Sequence, residues 1–238
     1  MNFSSIQIKN IVTTASLLTL FAVTGAALVG VTFIQTEDDI KYNEKLTLLR
    51  KLNNIIPAES YDNDLLLDSI IIKPSRLLST KEESLAYRAR KNSQNVAVVF
   101  SSIAPGGYNG SIHLLVGVKT DGTLSGVRVV KHRETPGLGD VVESSRSNWI
   151  LGFNDKSLSK PNDKGWKVKR DGGIFDQFTG ATITPRAVVN AVHNALLYFE
   201  KNQQMLFSVN TDQTEAKTKI ETIADTEADT EIDNSKQP

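Results

Sequence analysis

Ser111-Ile112-His113-Leu114-Leu115-Val116-Gly117-Val118-Lys119-Thr120-Asp121-Gly122-Thr123-Leu124-Ser125-Gly126-Val127-Arg128-Val129-Val130-Lys131 holds two apolar runs separated by a turn signal. Ile112, Leu114, Val116 and Val118 alternate with His113, Leu115 and Gly117, the period of a strand. Leu124–Lys131 reads as the next strand, and Asp121-Gly122 between them is a type I′ hairpin signal. Residues 96–103 form a further β-rich run just upstream, behind the glycine-rich stretch Pro105-Gly106-Gly107-Tyr108. Strands joined by such short connections pair antiparallel, because a parallel crossover needs a dozen residues or more. The centre of the chain is therefore an antiparallel sheet and not a βαβ unit.

Helical signals flank it on both sides. Downstream, Thr184-Pro185 opens the strongest helix pattern, with Thr184 as N-cap and Pro185 at the first helical position, where a missing N–H costs nothing. Val188, Val192, Ala195 and Phe199 then share one face, joined by Ala191, Leu196 and Leu197. Upstream, a helix is expected over 80–91, capped by Ser79 or Thr80 with Glu82 and Glu83 in its first turn. Residues 38–55 form an amphipathic helix that Pro57 stops. The fold class is α+β: an antiparallel sheet with flanking helices.

No charge lies between Lys9 and Glu37. At ~1.5 Å per residue, a helix over 11–34 is about 36 Å long, enough for a ~30 Å hydrocarbon core. A cleaved signal peptide is the competing reading, with Gly25-Ala26-Ala27 as its cleavage region. Against it, apolar residues run on through Phe33 and Ile34. Lys9 and the amino terminus flank one side, and Glu37, Asp38 and Asp39 the other, so the positive-inside rule leaves the N-terminus cytoplasmic and the remainder exported.

The chain of 238 residues carries 27 basic and 27 acidic side chains and no cysteine. Disulfides, thiolate-bound clusters, CxxCH haem and a cysteine nucleophile are all excluded. Three scattered histidines, His113, His132 and His193, offer no zinc-like spacing, so no metal is expected. Eight acidic residues fall between Asp212 and Asp233, in a repetitive stretch of Thr, Asp, Glu and Ala that cannot bury enough apolar surface to order itself. The remaining basic excess is small and lacks an aromatic stripe, which argues against nucleic acid.

Two segments could carry chemistry. In Asp176-Gln177-Phe178-Thr179-Gly180-Ala181-Thr182-Ile183-Thr184, the Thr182 hydroxyl lies just ahead of a helix whose unpaired N–H groups and dipole favour a phosphate. Gly180 and Ala181 leave room for a large reagent. An unactivated threonine is a poor nucleophile, so a group on Thr182 would have to be placed there by another enzyme. In His132-Arg133-Glu134-Thr135-Pro136-Gly137-Leu138-Gly139-Asp140, two glycines could let backbone lie against a flat ring, with Glu134 and Thr135 as polar contacts. It is not a dinucleotide fingerprint, because position 142 is Val rather than a third Gly.

Asp-x-x-Thr-Gly-Ala-Thr-x-Thr at 176–184 resembles the attachment motif of the covalent FMN-binding domain family. So does the order of the other signals: Gly106-Gly107-Tyr108, the hairpin, then His132-x-Glu134-Thr135-Pro136-Gly137-Leu138-Gly139. With the single anchor, Trp149, Trp166 and Gly172-Gly173, residues 1–205 most resemble the G-subunit family of Rnf ion-translocating electron-transport complexes.

That resemblance implies FMN esterified through its phosphate to Thr182. Thr179, Gly180, Ala181 and Thr184 would form the phosphate end, and Glu134, Thr135, Leu138 and Gly139 the flavin contacts. It implies an electron-carrier subunit linked to ferredoxin and NAD, with no stand-alone active site. Its partners would be the other subunits, a flavin transferase and the bacterial inner membrane, with the FMN domain periplasmic.

The expected divisions are a cytoplasmic N-terminus at 1–10, an anchor at 11–34, a helical membrane-proximal segment at 35–95, an FMN-binding domain at 96–205 and a disordered acidic tail at 206–238. Two rival readings are the C subunit of the sodium-translocating NADH:quinone reductase and a cofactor-free, membrane-anchored interaction module.

Overall fold

A computed structural model describes residues 5–208. The expected tail from 206 is corrected at its start, since Leu206 and Phe207 still belong to the last helix and Leu206 is buried; from 209 onward it lies outside the described residues. The chain divides into two compact units, 1–47 and 48–238.

The first unit holds most of helix α1 (Ser5–Asn53). Its Lys9–Glu37 stretch is long and apolar enough to cross a membrane. Six threonines interrupt the apolar surface there, and each returns its hydroxyl proton to the carbonyl four residues back, at 2.8–2.9 Å. Each hydroxyl proton is thus satisfied within the helix, which a hydrocarbon environment requires.

In the second unit, five strands follow one another in sequence order, each antiparallel to the next: β1 (Ser69–Ile72), β2 (Ser84–Lys91), β3 (Gln94–Gly107), β4 (Gly110–Lys119) and β5 (Leu124–Lys131). The period-two alternation sorts their side chains onto two cores. Val98, Phe100, Ile112, Leu114, Val116 and Val118 face helix α2 (Ile183–Phe207) and its Val188, Val192, Ala195 and Phe199. Leu85, Tyr87, Ala89, Val99 and Leu115 face the opposite way, onto Leu52, Ile55 and Ile56. Gly117 is fixed by that second layer, since a Cβ there would collide with the Ile55 Cγ2.

Three expectations need correction. Residues 84–91 form strand β2, not the end of a helix over 80–91: β2 lies between β1 and β3 and is buried on both faces. The segment 35–95 is accordingly α-helical only to Asn53, and beyond a short 3₁₀ turn at Ala58–Ser60 it supplies β1, β2 and the start of β3. The β4–β5 turn is not type I′. Among residues 120–122 only Gly122 has positive φ, at 82°, as in a three-residue loop ending in a left-handed residue.

Between β5 and α2, residues 132–182 form short 3₁₀ turns around stacked rings. Phe153 lies 4.6 Å from Phe175 and 6.3 Å from Trp166, and Trp149 packs edge-on against Phe178 at 5.1 Å. This aromatic packing fixes the segment that leads into α2.

Candidate functional site

Phe178 is the buried anchor from which the approach to α2 departs. The Ala181 amide donates back to the Phe178 carbonyl at 3.2 Å, closing a turn with Thr179 and Gly180 at its corner. Gly180 has φ +81°, the value the third residue of a type II turn demands and the reason for glycine there. The chain then enters α2 with Thr182 in the N-cap position (φ −87°, ψ −18°), its side chain making no capping bond.

The expected Thr184 cap is therefore corrected. The helix begins two residues earlier than expected, at Ile183 rather than Pro185, and the buried Thr184 hydroxyl turns inward to donate to Glu134 Oε2.

Glu134 is 5 % exposed and joins three parts of the chain. Its Oε1 accepts the Asn109 amide at 3.0 Å, from the β3–β4 turn, and its Oε2 accepts the Thr184 hydroxyl. Its own amide donates to His132 Nδ1 at 2.9 Å, which assigns the ring proton to Nε2, 2.7 Å from Glu143 Oε1. Burial pushes the Glu143 carboxyl up, but bonds from Ser145 and His132 and the charge of Arg146 outweigh it and hold it below its ordinary value.

Two glycines admit the Glu134 carboxylate. A Cβ on Gly139 would lie 2.6 Å from Oε2, and one on Gly107 would lie 2.9 Å from Oε1. Beyond it, the Thr135 carbonyl accepts both the Leu138 and the Gly139 amides at 3.1 Å, and its hydroxyl accepts Asn109 Nδ2 at 3.1 Å.

The two segments meet at one cleft of about 260 Å³. Glu134, Thr135, Leu138 and Gly139 line it from one side, and Gly180, Ala181, Thr182 and Thr184 from the other. Of the residues singled out from sequence, only Thr179 does not line it; it stands exposed at the turn corner. Tyr108 and Ile183 line it as well; the Pro105-Gly106-Gly107-Tyr108 loop reads from sequence as either a turn or a ligand rim, and its Tyr108 stands on the rim, whereas Ile183 is assigned to no site by the motifs. Tyr108 carries a signal, an aromatic in a tight turn after two glycines, where a ring has no core to enter. Ile183 carries none beyond being apolar at a helix start.

The cleft has an apolar rim and a polar floor. Tyr108, Leu138 and Ile183 are 67, 44 and 45 % exposed around it, while Glu134 and Thr184 are buried beneath. A flat aromatic ligand with a phosphate arm matches this donor set: rings against the rim, phosphate at the first turn of α2 where N–H groups lack intrahelical partners. Arg186 Nε and Nη2 bind Asp171 at 2.6 and 2.8 Å, tying that first turn to the neighbouring loop. No group of three or more His, Asp or Glu side chains fit to hold a metal occurs among the described residues.

A family model described as FMN-binding domain matches residues 107–197, so every residue lining the cleft falls within it. Another, described as the RnfG N-terminal region, matches residues 1–55. The G subunit of the ion-translocating oxidoreductase complex of Pseudomonas aeruginosa (strain UCBPP-PA14) is 47 % identical over 200 residues, covering 84 % of this chain and 94 % of its own length. Its counterpart from Shewanella loihica is 46 % identical over 200 residues (84 and 94 %), and that from Pseudoalteromonas atlantica 44 % over 196 residues (82 and 91 %).

Proposed function

The chain belongs to the G-subunit family of ion-translocating oxidoreductase complexes, and from that premise we propose that it carries FMN as an ester of the Thr182 hydroxyl and relays electrons among the subunits of such a complex. The flavin supplies the redox chemistry, and the protein supplies position and electrostatics. Gly180 and Ala181 keep the approach to Thr182 narrow in side chains, and the first turn of α2 offers its amides to the phosphate. Leu138, Ile183 and Tyr108 exclude water from a ring laid on the rim, while Glu134, Thr135 and Gly139 present polar atoms and bare backbone at the floor.

The single observation carrying the assignment is the placement of Thr182. It stands at the N-terminus of α2, inside the cleft, with its side chain not used for capping. Loading would fall to a flavin transferase, since an unactivated threonine hydroxyl is a poor nucleophile. The apolar stretch of α1 would anchor the chain in the bacterial inner membrane, with Lys9 on the cytoplasmic side and the flavin domain in the periplasm.

Thr182→Ala should abolish covalent loading while leaving the domain folded. The measurement is flavin fluorescence of the denatured band from cells co-expressing the transferase, with mass spectrometry of the 176–186 peptide. FMN found on Thr179 or Thr184 would reject the assignment. A folded, loaded Thr182→Ala protein would reject attachment at this residue.

A further inference from the structure

From Lys156 to Arg170 the chain carries six basic residues and one acidic, Asp163, a net +5. Trp166 and Val168 are buried and hold this loop to the aromatic cluster, while Lys160, Lys164, Lys167, Lys169 and Arg170 are exposed. Lys167 and Lys169 flank buried Val168 and are both exposed. Among the described residues, the one ion pair these five cations make is Lys169 Nζ to Asp176 at 2.5 Å, itself exposed.

The other end of the sequence carries the complement. Residues 221–233 contain Glu221, Asp225, Glu227, Asp229, Glu231 and Asp233 and no basic residue, a net −6. From 225 to 233 every second residue is acidic, so an extended chain would present five carboxylates on one side at about 6.6 Å spacing.

The lengths also match. His193 on α2 meets Asp163 of the loop at 3.3 Å, and α2 continues to Phe207, about 21 Å further at 1.5 Å per residue. Twelve residues separate Ser208 from Glu221, and about 3.3 Å per residue gives them a reach near 40 Å.

We infer that the acidic segment 221–233 docks on the basic loop 156–170 of its own chain. A tethered partner acts at millimolar effective concentration, which makes a set of individually weak surface pairs sufficient. Docking neutralises a cationic surface on the segment that leads directly into the 178–182 turn. The inference does not depend on what the cleft holds.

The full chain in detergent, treated with a zero-length carbodiimide, tests it. Carboxylates of 221–233 should couple chiefly to Lys160, Lys164, Lys167 and Lys169, and the products should vanish near 1 M salt, where the Debye length is about 3 Å. Lys201, exposed near the end of α2, controls for mere proximity. Products dominated by Lys201, or spread evenly over Lys73, Lys81 and Lys131, would overturn the proposal. Products that scale with protein concentration would assign the segment to a second copy and overturn it too.

A second measurement is amine acetylation. Lys167 and Lys169 should react about threefold or more slowly in the natural chain than in one with all six acids of 221–233 changed to amides, as expected for a tethered segment that mostly occupies its site. Equal rates would refute docking.

Discussion

Two carboxylates tie distant parts of this fold together, and they do so in opposite ways. Asp68, just before β1, meets two guanidinium groups: Arg88 Nη2 at 2.5 Å and Arg90 Nε at 2.6 Å. Asn63 Nδ2 adds a bond at 3.1 Å, and Arg88 reaches on to the Ser208 carbonyl at the end of α2. Glu134 is buried, yet its partners are an amide and a hydroxyl, with no cation among the described residues. Glu134, unlike Asp68, lines the cleft beside Thr182. A carboxylate neutralised by arginines belongs to the architecture. One held only by neutral donors at the bottom of a cleft keeps a charge available to whatever binds there, at a solvation cost that packing elsewhere must offset.

The largest effect should come from breaking the first arrangement. Burial lowers the Arg88 guanidinium from its ordinary value although Asp68 pulls the other way, so this cation depends on its partner. Arg88→Ala leaves Asp68 short of a partner and frees the end of α2. Losing one member of a buried pair costs about 3–5 kcal/mol, or roughly 10 °C in melting temperature for a domain of this size. The folded fraction should still accept flavin on Thr182. A melting point within about 2 °C of the natural protein would mean the pair is a surface ornament.

Glu134→Gln should move stability far less, because both bonds survive. The Gln carbonyl accepts the Asn109 amide, and its NH₂ donates to a Thr184 hydroxyl that rotates to accept. We expect a change within about 1 kcal/mol in either direction. In the flavin-loaded protein, removing a negative charge from the cleft floor should raise the midpoint potential. The expected rise is about 30 mV, equivalent to 1.4 kcal/mol for a two-electron couple. Redox titration of the loaded domain measures it. An unmoved potential with normal loading would make Glu134 a structural tie like Asp68.

This contrast also marks how far the sequence could be read. β4 was legible because it alternates and β5 because a turn signal sets off its β-rich run, and α2 because its apolar residues recur at helical spacing. β2 was not: Leu85 through Ala89 are all buried between neighbouring strands, which erases alternation, while Glu82 and Glu83 after Ser79 and Thr80 imitate a helix start. The residues of the cleft were legible as two motifs, but not the bond that joins them. Thr184 has every local mark of an N-cap, and only a partner fifty residues away diverts its hydroxyl. The loop of Tyr108 was open between a turn and a ligand rim, and the pairing of Gly107 with Gly110 makes it both.

A third carboxylate should give the smallest effect and marks the weak end of the series. Asp163 is 89 % exposed, 3.3 Å from His193 Nε2, whose ring stacks on Trp166 at 5.4 Å and 20°. Burial lowers the His193 pKa below its ordinary 6.5, and Asp163 opposes this without winning. The folded chain therefore binds the His193 proton less readily than the unfolded chain. Its contribution to stability is whole above pH 6.5 and is lost as pH falls through the lowered folded value. Between about pH 7 and pH 5 the melting temperature of the natural protein should fall more than that of His193→Gln, which has no ring to protonate. Asp163→Asn should fall most steeply, because it removes the group whose charge favours the protonated ring. Glu143 and Asp121, both held below their ordinary carboxyl values, stay charged over this window and leave the comparison to the histidine. Parallel pH profiles for the natural protein and His193→Gln would show that stacking on Trp166 leaves the ring open to solvent. A shallower profile for Asp163→Asn would show that the exposed pair outweighs burial after all.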